Sequence, residues 1–135
     1  MSYIRKRITI ISISRPRETG LNEELQWFGN SLGLFHLRDK DKSCFRLFIE
    51  FLKASRQGQP LSSDELADRT GLSRGTVVHH LNRMMESGLI LHSQKKYLLR
   101  DPNLENLVED IKRDFELAFD DLRKAAKELD RFLEI

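Results

Sequence analysis

Apolar positions recur along this chain in distinct rhythms, and each rhythm predicts an element. After Gly20, the residues Leu21, Leu25, Phe28, Leu32 and Phe35 follow one another at intervals of four and three, the period of one helix face. Gly29 and Gly33 weaken that helix, so it is expected to run over 21–33. Phe45, Phe48, Ile49 and Leu52 mark a second amphipathic helix, closed by the turn Gln57-Gly58-Gln59-Pro60. Upstream, the isoleucines of 8–14 are interleaved with Thr and Ser, which predicts a short strand. A polar connection, 36–42, separates the two helices.

The densest pattern lies between residues 62 and 90. Ser62-Ser63-Asp64-Glu65 reads as a capping box, in which a hydroxyl and a carboxylate three residues apart satisfy orphan backbone donors at a helix start. A short helix burying Leu66 and Ala67 follows. It reaches Gly71, where a left-handed backbone is open to glycine at no steric cost. Leu72 can fill the angle between two helices and Ser73 can cap the next one, which turns Val77, Leu81 and Met84 or Met85 inward. Ala67, Gly71 and Val77 stand at the spacing of a helix-turn-helix: a small residue for close approach, a glycine for the turn, a branched anchor for the second helix.

The opposite face of that second helix, 73–87, offers Arg74, Thr76, Val78, His79, Asn82 and Arg83. A major-groove reader needs these groups: guanidinium for guanine, amide for adenine, methyl for thymine. No carboxylate intervenes before Glu86. Ser62, Ser63 and Ser73 stand at helix N-termini, where hydroxyls and amides hold phosphates. A three-helix core with a fortuitous cationic face is the plainer reading of the same residues.

Gly88 is placed to stop the helix. Beyond it, Leu89-Ile90-Leu91-His92 and Tyr97-Leu98-Leu99-Arg100 flank Ser93-Gln94-Lys95-Lys96, a hairpin with a basic tip. Spanning 89–100, it has the form of a wing whose Lys95 and Lys96 touch backbone phosphates or the minor groove. Its turn type is open, since no glycine stands at the tip.

The tail carries the longest rhythm. Leu104, Val108, Ile111, Phe115, Ala118, Leu122, Ala125, Leu129 and Phe132 alternate by four and three, the seam of a coiled coil. Leu107, Phe119, Ala126 and Leu133 widen it. A rod of about 45 Å is more than a small domain covers, so dimerisation through Leu104, Val108, Ile111, Phe115, Ala118, Leu122, Leu129 and Phe132 is the expected use. Folding back over its own domain is the alternative. The N-terminal helix is a second candidate for the dimer interface.

Composition sharpens this picture. Of 135 residues, 39% are hydrophobic and 33% charged but only 8% aromatic, which suits a small helical protein with long exposed helices. The net charge of +2 conceals a division: from Asp101 on there are eleven acidic and six basic residues, leaving the first hundred at +7. A basic body with an acidic tail fits a polyanionic partner for the body, with the spine repelled from it. The lone Cys44 gives no disulfide framework and no cysteine metal cluster. No apolar run approaches the roughly 18 residues of a membrane span, and the basic start lacks a secretory cleavage site, so the cytoplasm is the expected compartment.

His36, His79, His80, His92 and Cys44 sit in no catalytic motif, and no glycine-rich phosphate loop is present. His79 and His80 point roughly 100° apart on a helix, unlike the i, i+4 pair that suits a metal. We therefore expect no enzyme, no cofactor and no metal. Trp27, Phe28, Phe115 and Phe119 offer the walls of a small-molecule effector pocket, or simply core. Arg5, Lys6, Arg7, Arg15 and Arg17 read as a DNA-contacting arm or, preferably, as the flanks of the strand.

The run Leu72-Ser73-Arg74-Gly75-Thr76-Val77-Val78-His79-His80-Leu81, continued by Glu86-Ser87-Gly88-Leu89-Ile90, resembles the recognition helix and wing of ArsR-type winged-helix repressors, the archaeal members in particular. MarR-type regulators are similar over the same stretch. The resemblance spans roughly residues 43–100. It implies a dimeric repressor or activator on double-stranded DNA with a pseudo-palindromic operator, with Arg74, Thr76, Val78, His79 and Asn82 facing the groove and His80 nearer the packing. The family's metal sensors carry a Cys-x-Cys pair on the first helix of the motif or ligands on a C-terminal helix. Here the first helix reads Asp64-Glu65-Leu66-Ala67-Asp68-Arg69 and the C-terminal helix has no histidine, so metal sensing does not carry over.

The expectation is a mainly α protein with a small β-hairpin: an N-terminal strand and helix (1–40), a winged helix-turn-helix domain (41–100) and a coiled-coil-like dimerisation helix (101–135). It binds specific duplex DNA as a homodimer. The rival is a winged-helix adaptor that binds protein.

Overall fold

The computed structural model describes residues 6–11, 13–15, 17, 20–34 and 42–134. Five helices and one hairpin follow in the order α1 (Leu21–Ser31), α2 (Ser43–Arg56), α3 (Ser63–Thr70), α4 (Arg74–Glu86), β1 (Ile90–Ser93), β2 (Lys96–Leu99) and α5 (Leu104–Leu133). This is the mainly helical winged helix-turn-helix with a long C-terminal helix that the sequence pattern predicts. The chain divides into two compact units, Met1–Pro102 and Asn103–Ile135. None of the described helices is long and apolar enough to cross a membrane.

In the first unit α2, α3 and α4 pack on one another, with β1 against α4 and β2 against α2. Leu47, Phe48, Phe51, Leu61, Leu66, Val77, Leu81, Met84 and Leu89 are fully buried. Each such side chain contributes roughly 1.5–3 kcal/mol by leaving water. The face of α2 differs from the one predicted. Its buried residues are Ser43, Cys44, Leu47, Phe48, Phe51 and Ala54, whereas Phe45, Ile49 and Leu52 are only half-buried. Both sets have helical spacing. The prediction selected the neighbouring stripe because Cys44 and Ala54 carry little weight as apolar markers, although they pack as well as larger residues.

Among the described residues of the N-terminal segment there is no strand: residues 8–11, 13 and 14 carry no ladder. Its backbone instead caps two helix ends. The Arg7 amide donates to the carbonyl of Glu86, the last residue of α4, at 2.7 Å, and the Ile11 amide donates to that of Ser31, the last residue of α1, at 2.8 Å. Terminal helix carbonyls lack intrahelical partners, so they compete with a sheet edge for an extended segment's donors. Ile13 and Arg15 lie along α1, where the Trp27 indole N–H donates to the Ile13 carbonyl at 3.2 Å and the Arg15 guanidinium covers the indole ring. Helix α1 ends where expected, with Gly33 left-handed at φ 70°. Phe35, the connection over 36–41, the boundary at residues 40 and 41, Arg5 and His36 lie outside the described residues.

The second unit is α5 itself, 30 residues long and capped by Asn103, whose side chain accepts from the Asn106 amide. Every residue from Glu116 to Glu134 is exposed, the apolar Phe119, Leu122, Leu129 and Phe132 included. Phe115 and Phe119 meet edge-on along the helix.

Candidate nucleic-acid interface

The turn between α3 and α4 is built from the caps that the sequence announces. The Ser62 hydroxyl accepts from the Glu65 amide at 3.1 Å while the Glu65 carboxylate accepts from the Ser62 amide at 3.4 Å, a complete capping box. Gly71 closes α3 at φ 71°, its amide donating to the Ala67 carbonyl. This is the left-handed conformation that disfavours a side chain. The buried Thr70 hydroxyl donates to Leu66 and accepts from the Leu72 amide. The Arg46 guanidinium on α2 covers the Thr70 carbonyl, one of the orphan acceptors at the helix end. At the start of α4 the Ser73 hydroxyl accepts from the Thr76 amide at 3.2 Å and donates to the Thr76 hydroxyl at 2.8 Å. The angle between the two helices is therefore fixed by hydrogen bonds as well as by packing.

Helix α4 buries Val77, His80, Leu81 and Met84, and Met85 stays half-buried. His80 is an inward residue, sharing a buried 2.7 Å hydrogen bond between its Nε2 and the Ser43 hydroxyl of α2. The outward stripe is Arg74, Gly75, Val78, His79 and Asn82, the i, i+3, i+4, i+7 spacing of one face. Four of the six groove-facing residues anticipated from sequence are brought together here. Thr76 is half-buried and bonded to Ser73, at the margin of the stripe. Arg83 is half-buried, and its guanidinium donates to the Gly33 carbonyl at 3.2 Å, bracing α4 against the segment after α1. Gly75 is the member that sequence reasoning passed over. Apart from its chain neighbours and its own helix backbone, no atom lies within 4 Å of where its Cβ would stand, so packing in the described chain does not require a glycine there.

Two cations of the face have carboxylate neighbours on α3. Arg74 lies 3.5 Å from Asp64, both 73% exposed, and Lys96 lies 3.9 Å from Glu65. Exposed pairs of this kind are worth about 0–1 kcal/mol and exchange readily for a stronger anion. The hydroxyls of Ser62 and Ser73 are engaged in capping, and Ser63 is half-buried in the first turn of α3.

The hairpin pairs Ile90 with Leu99 through Ser93 with Lys96, leaving a two-residue turn at Gln94 and Lys95. Both have positive φ, 52° and 64°, which makes it a type I′ turn formed without glycine or asparagine. Lys95 and Lys96 are exposed at the tip, and His92 stacks on Tyr97 with ring centroids 4.4 Å apart. A third chain segment joins the wing. The Leu61 amide donates to the Tyr97 carbonyl at 2.8 Å and the Tyr97 amide to the Leu61 carbonyl at 2.7 Å, tying the wing to the residue just before α3.

Among the described residues no three His, Cys, Asp or Glu side chains converge as a metal site. The aromatic residues suggested as pocket walls or core make the following contacts. Trp27 holds Ile13 and Arg15, Phe28 stacks on Phe48 at 6.2 Å, and Phe115 pairs with Phe119.

Residues 52–91 match the family model described as "Bacterial regulatory protein, arsR family". The match runs from the end of α2 through α3 and α4 into β1, so it covers the helix-turn-helix itself and supports a DNA-binding transcription regulator. No curated protein and no solved structure matches the chain.

Proposed function

From an arsR-family helix-turn-helix segment, we propose that this chain is a sequence-specific transcriptional regulator. In this reading it acts as a homodimer on double-stranded DNA, with α4 in the major groove and the wing on the backbone or minor groove. The observation that carries it is the outward stripe of α4. Arg74, Val78, His79 and Asn82 share one exposed face with a glycine between them, on a helix whose start is fixed by the Ser73 cap. Arg74 and Asn82 supply guanidinium and amide, Val78 an apolar contact for a thymine methyl. Lys95 and Lys96 supply charge to phosphates. Ser62, Ser63 and Ser73 contribute backbone amides at helix starts, and Thr76 a margin contact.

Dimerisation belongs to α5, whose apolar seam is exposed from Phe119 to Phe132. Two copies present two recognition helices, and a pseudo-palindromic site with half-sites about one helical turn apart follows from that symmetry. The chain binds and does not catalyse, a cytoplasmic setting follows from the DNA reading, and a small-molecule effector completes it.

The deciding experiment is mobility shift on random duplex DNA at rising salt, with the mass in solution measured alongside. Retention by a dimer that falls steeply with salt is the expected result. A dimer with no retention even at low salt would overturn the regulator reading and leave the protein-binding adaptor.

A further inference from the structure

One cavity of about 510 Å³ opens in the first unit between the N-terminal segment, the turn after α1 and the last turns of α4. Its volume lies in the range of roughly 300–1,000 Å³ typical of small-molecule sites. The strap that roofs it is fixed at both ends by the amides of Arg7 and Ile11 on the carbonyls of Glu86 and Ser31. Thr9, between them, presses on Gly33, where an added Cβ would come within 2.9 Å of its methyl. The wall is apolar at Ile11 and Leu34 and polar at Arg7, His79, Arg83 and Glu86. The charged lining residues are thus two arginines and one glutamate, with His79 beside them. Arg83 gives one N–H to the Gly33 carbonyl, and a guanidinium has five.

We propose that this cavity is an effector site for a small organic anion, a carboxylate or phosphate ester on an apolar body, and that occupancy weakens duplex binding by α4. The anion meets Arg7 and Arg83, and the body lies against Ile11 and Leu34. The coupling is short. His79 and Arg83 stand one turn apart on α4, and His79 belongs both to the cavity wall and to the outward stripe. A ligand that recruits His79 inward withdraws it from the groove face. This second half rests on the DNA reading above; the site itself does not.

The test is titration calorimetry of the full chain with hexanoate, benzoate, 2-naphthoate and phenyl phosphate, and with 2-naphthamide as the uncharged control. Saturable binding of at least one anion is expected, with the amide about tenfold weaker than 2-naphthoate. Arg7→Gln and Ile11→Trp, the second narrowing the cavity from a surface position, each weaken binding about fivefold while the thermal midpoint stays in place. No saturable binding by any anion up to about 10 mM, equal affinity for acid and amide, or binding untouched by Ile11→Trp overturns the site. Mobility shift with the saturating anion then reads the coupling: retention drops for the wild type and holds for Ile11→Trp. A bound anion that leaves wild-type retention unchanged overturns the regulatory half. Absence of retention without any anion counts instead against the DNA reading, and calorimetry still decides the site.

Discussion

At the scale of single residues, α4 carries exposed groups available to a partner beside groups engaged within the fold. Gly75 sits in the first turn of α4, and glycine within a helix costs up to roughly 0.5–1 kcal/mol relative to alanine, most in the helix interior. No neighbour in the chain occupies its Cβ position. Gly75→Ala is therefore expected to raise the thermal midpoint while weakening DNA retention, because the missing side chain lets a sugar-phosphate backbone come close. Stabilisation without loss of retention would return Gly75 to a plain surface position.

Arg74 and Arg83, chemically alike, should part company in the same assay. Arg74→Ala removes an exposed cation and should lower the salt slope of duplex binding by about 1 with little change in melting. Arg83→Ala leaves the Gly33 carbonyl unbraced and should cost about 1–3 kcal/mol of stability with the salt slope preserved. The sequence could not distinguish them. Arg74 is defined by its own helix, whereas the partner of Arg83 lies fifty residues upstream, behind a glycine whose carbonyl carries no sequence mark.

Among elements, what was legible followed from local rules. Caps, turn glycine and buried period of α3 and α4 are each set by residues within one or two turns, and the structure reproduces them: Ser62 with Glu65, Gly71, Ser73, then Val77, Leu81 and Met84. Segments whose partners are distant misled. The isoleucines of 8–14 have a strand's composition, but Ile11 and the neighbouring Arg7 give their amides to the helix-end carbonyls of Ser31 and Glu86. Leu61 gives no local sign that it bridges to Tyr97.

The wing holds the sharpest conflict between local preference and observed conformation. Gln94 and Lys95 both occupy the left-handed region, at about 1–2 kcal/mol each for an ordinary side chain. The β1–β2 ladder and the Leu61 bridge hold them there. Replacing the pair by Asn-Gly should stabilise the protein by about 1 kcal/mol, or several degrees of melting temperature for a domain of this size. Because Lys95 is lost in the exchange, the salt slope of DNA binding should fall at the same time. Gln94→Asn alone separates the two effects, since it relaxes the turn and keeps the charge. Unchanged melting for the Asn-Gly variant would mean that the turn is not the strained element its dihedrals indicate.

For the whole molecule, the question is what an acidic helix of 30 residues does for a basic domain. Exposed apolar residues scattered singly on a surface need no explanation, but Phe119, Leu122, Leu129 and Phe132 recur at three, seven and three, along one side of a helix. In the proposed dimer a second copy would offer an equivalent seam, and like-charged flanks on α5 would leave DNA to the basic domains. Leu122→Glu with Leu129→Glu places two carboxylates in that seam at positions 65% and 58% exposed, so the fold of each chain should be retained, with an unchanged helical signal. The mass in solution should drop from dimer to monomer. Affinity for a two-half-site duplex should then fall by about 10²–10⁴, the advantage of tethering two readers, while affinity for a single half-site stays within a few-fold of wild type. That contrast makes the experiment specific to assembly. Damage to α4 or the wing would weaken both duplexes alike, and a dimer of unchanged mass would move the interface away from α5, with α1 as the next surface to substitute.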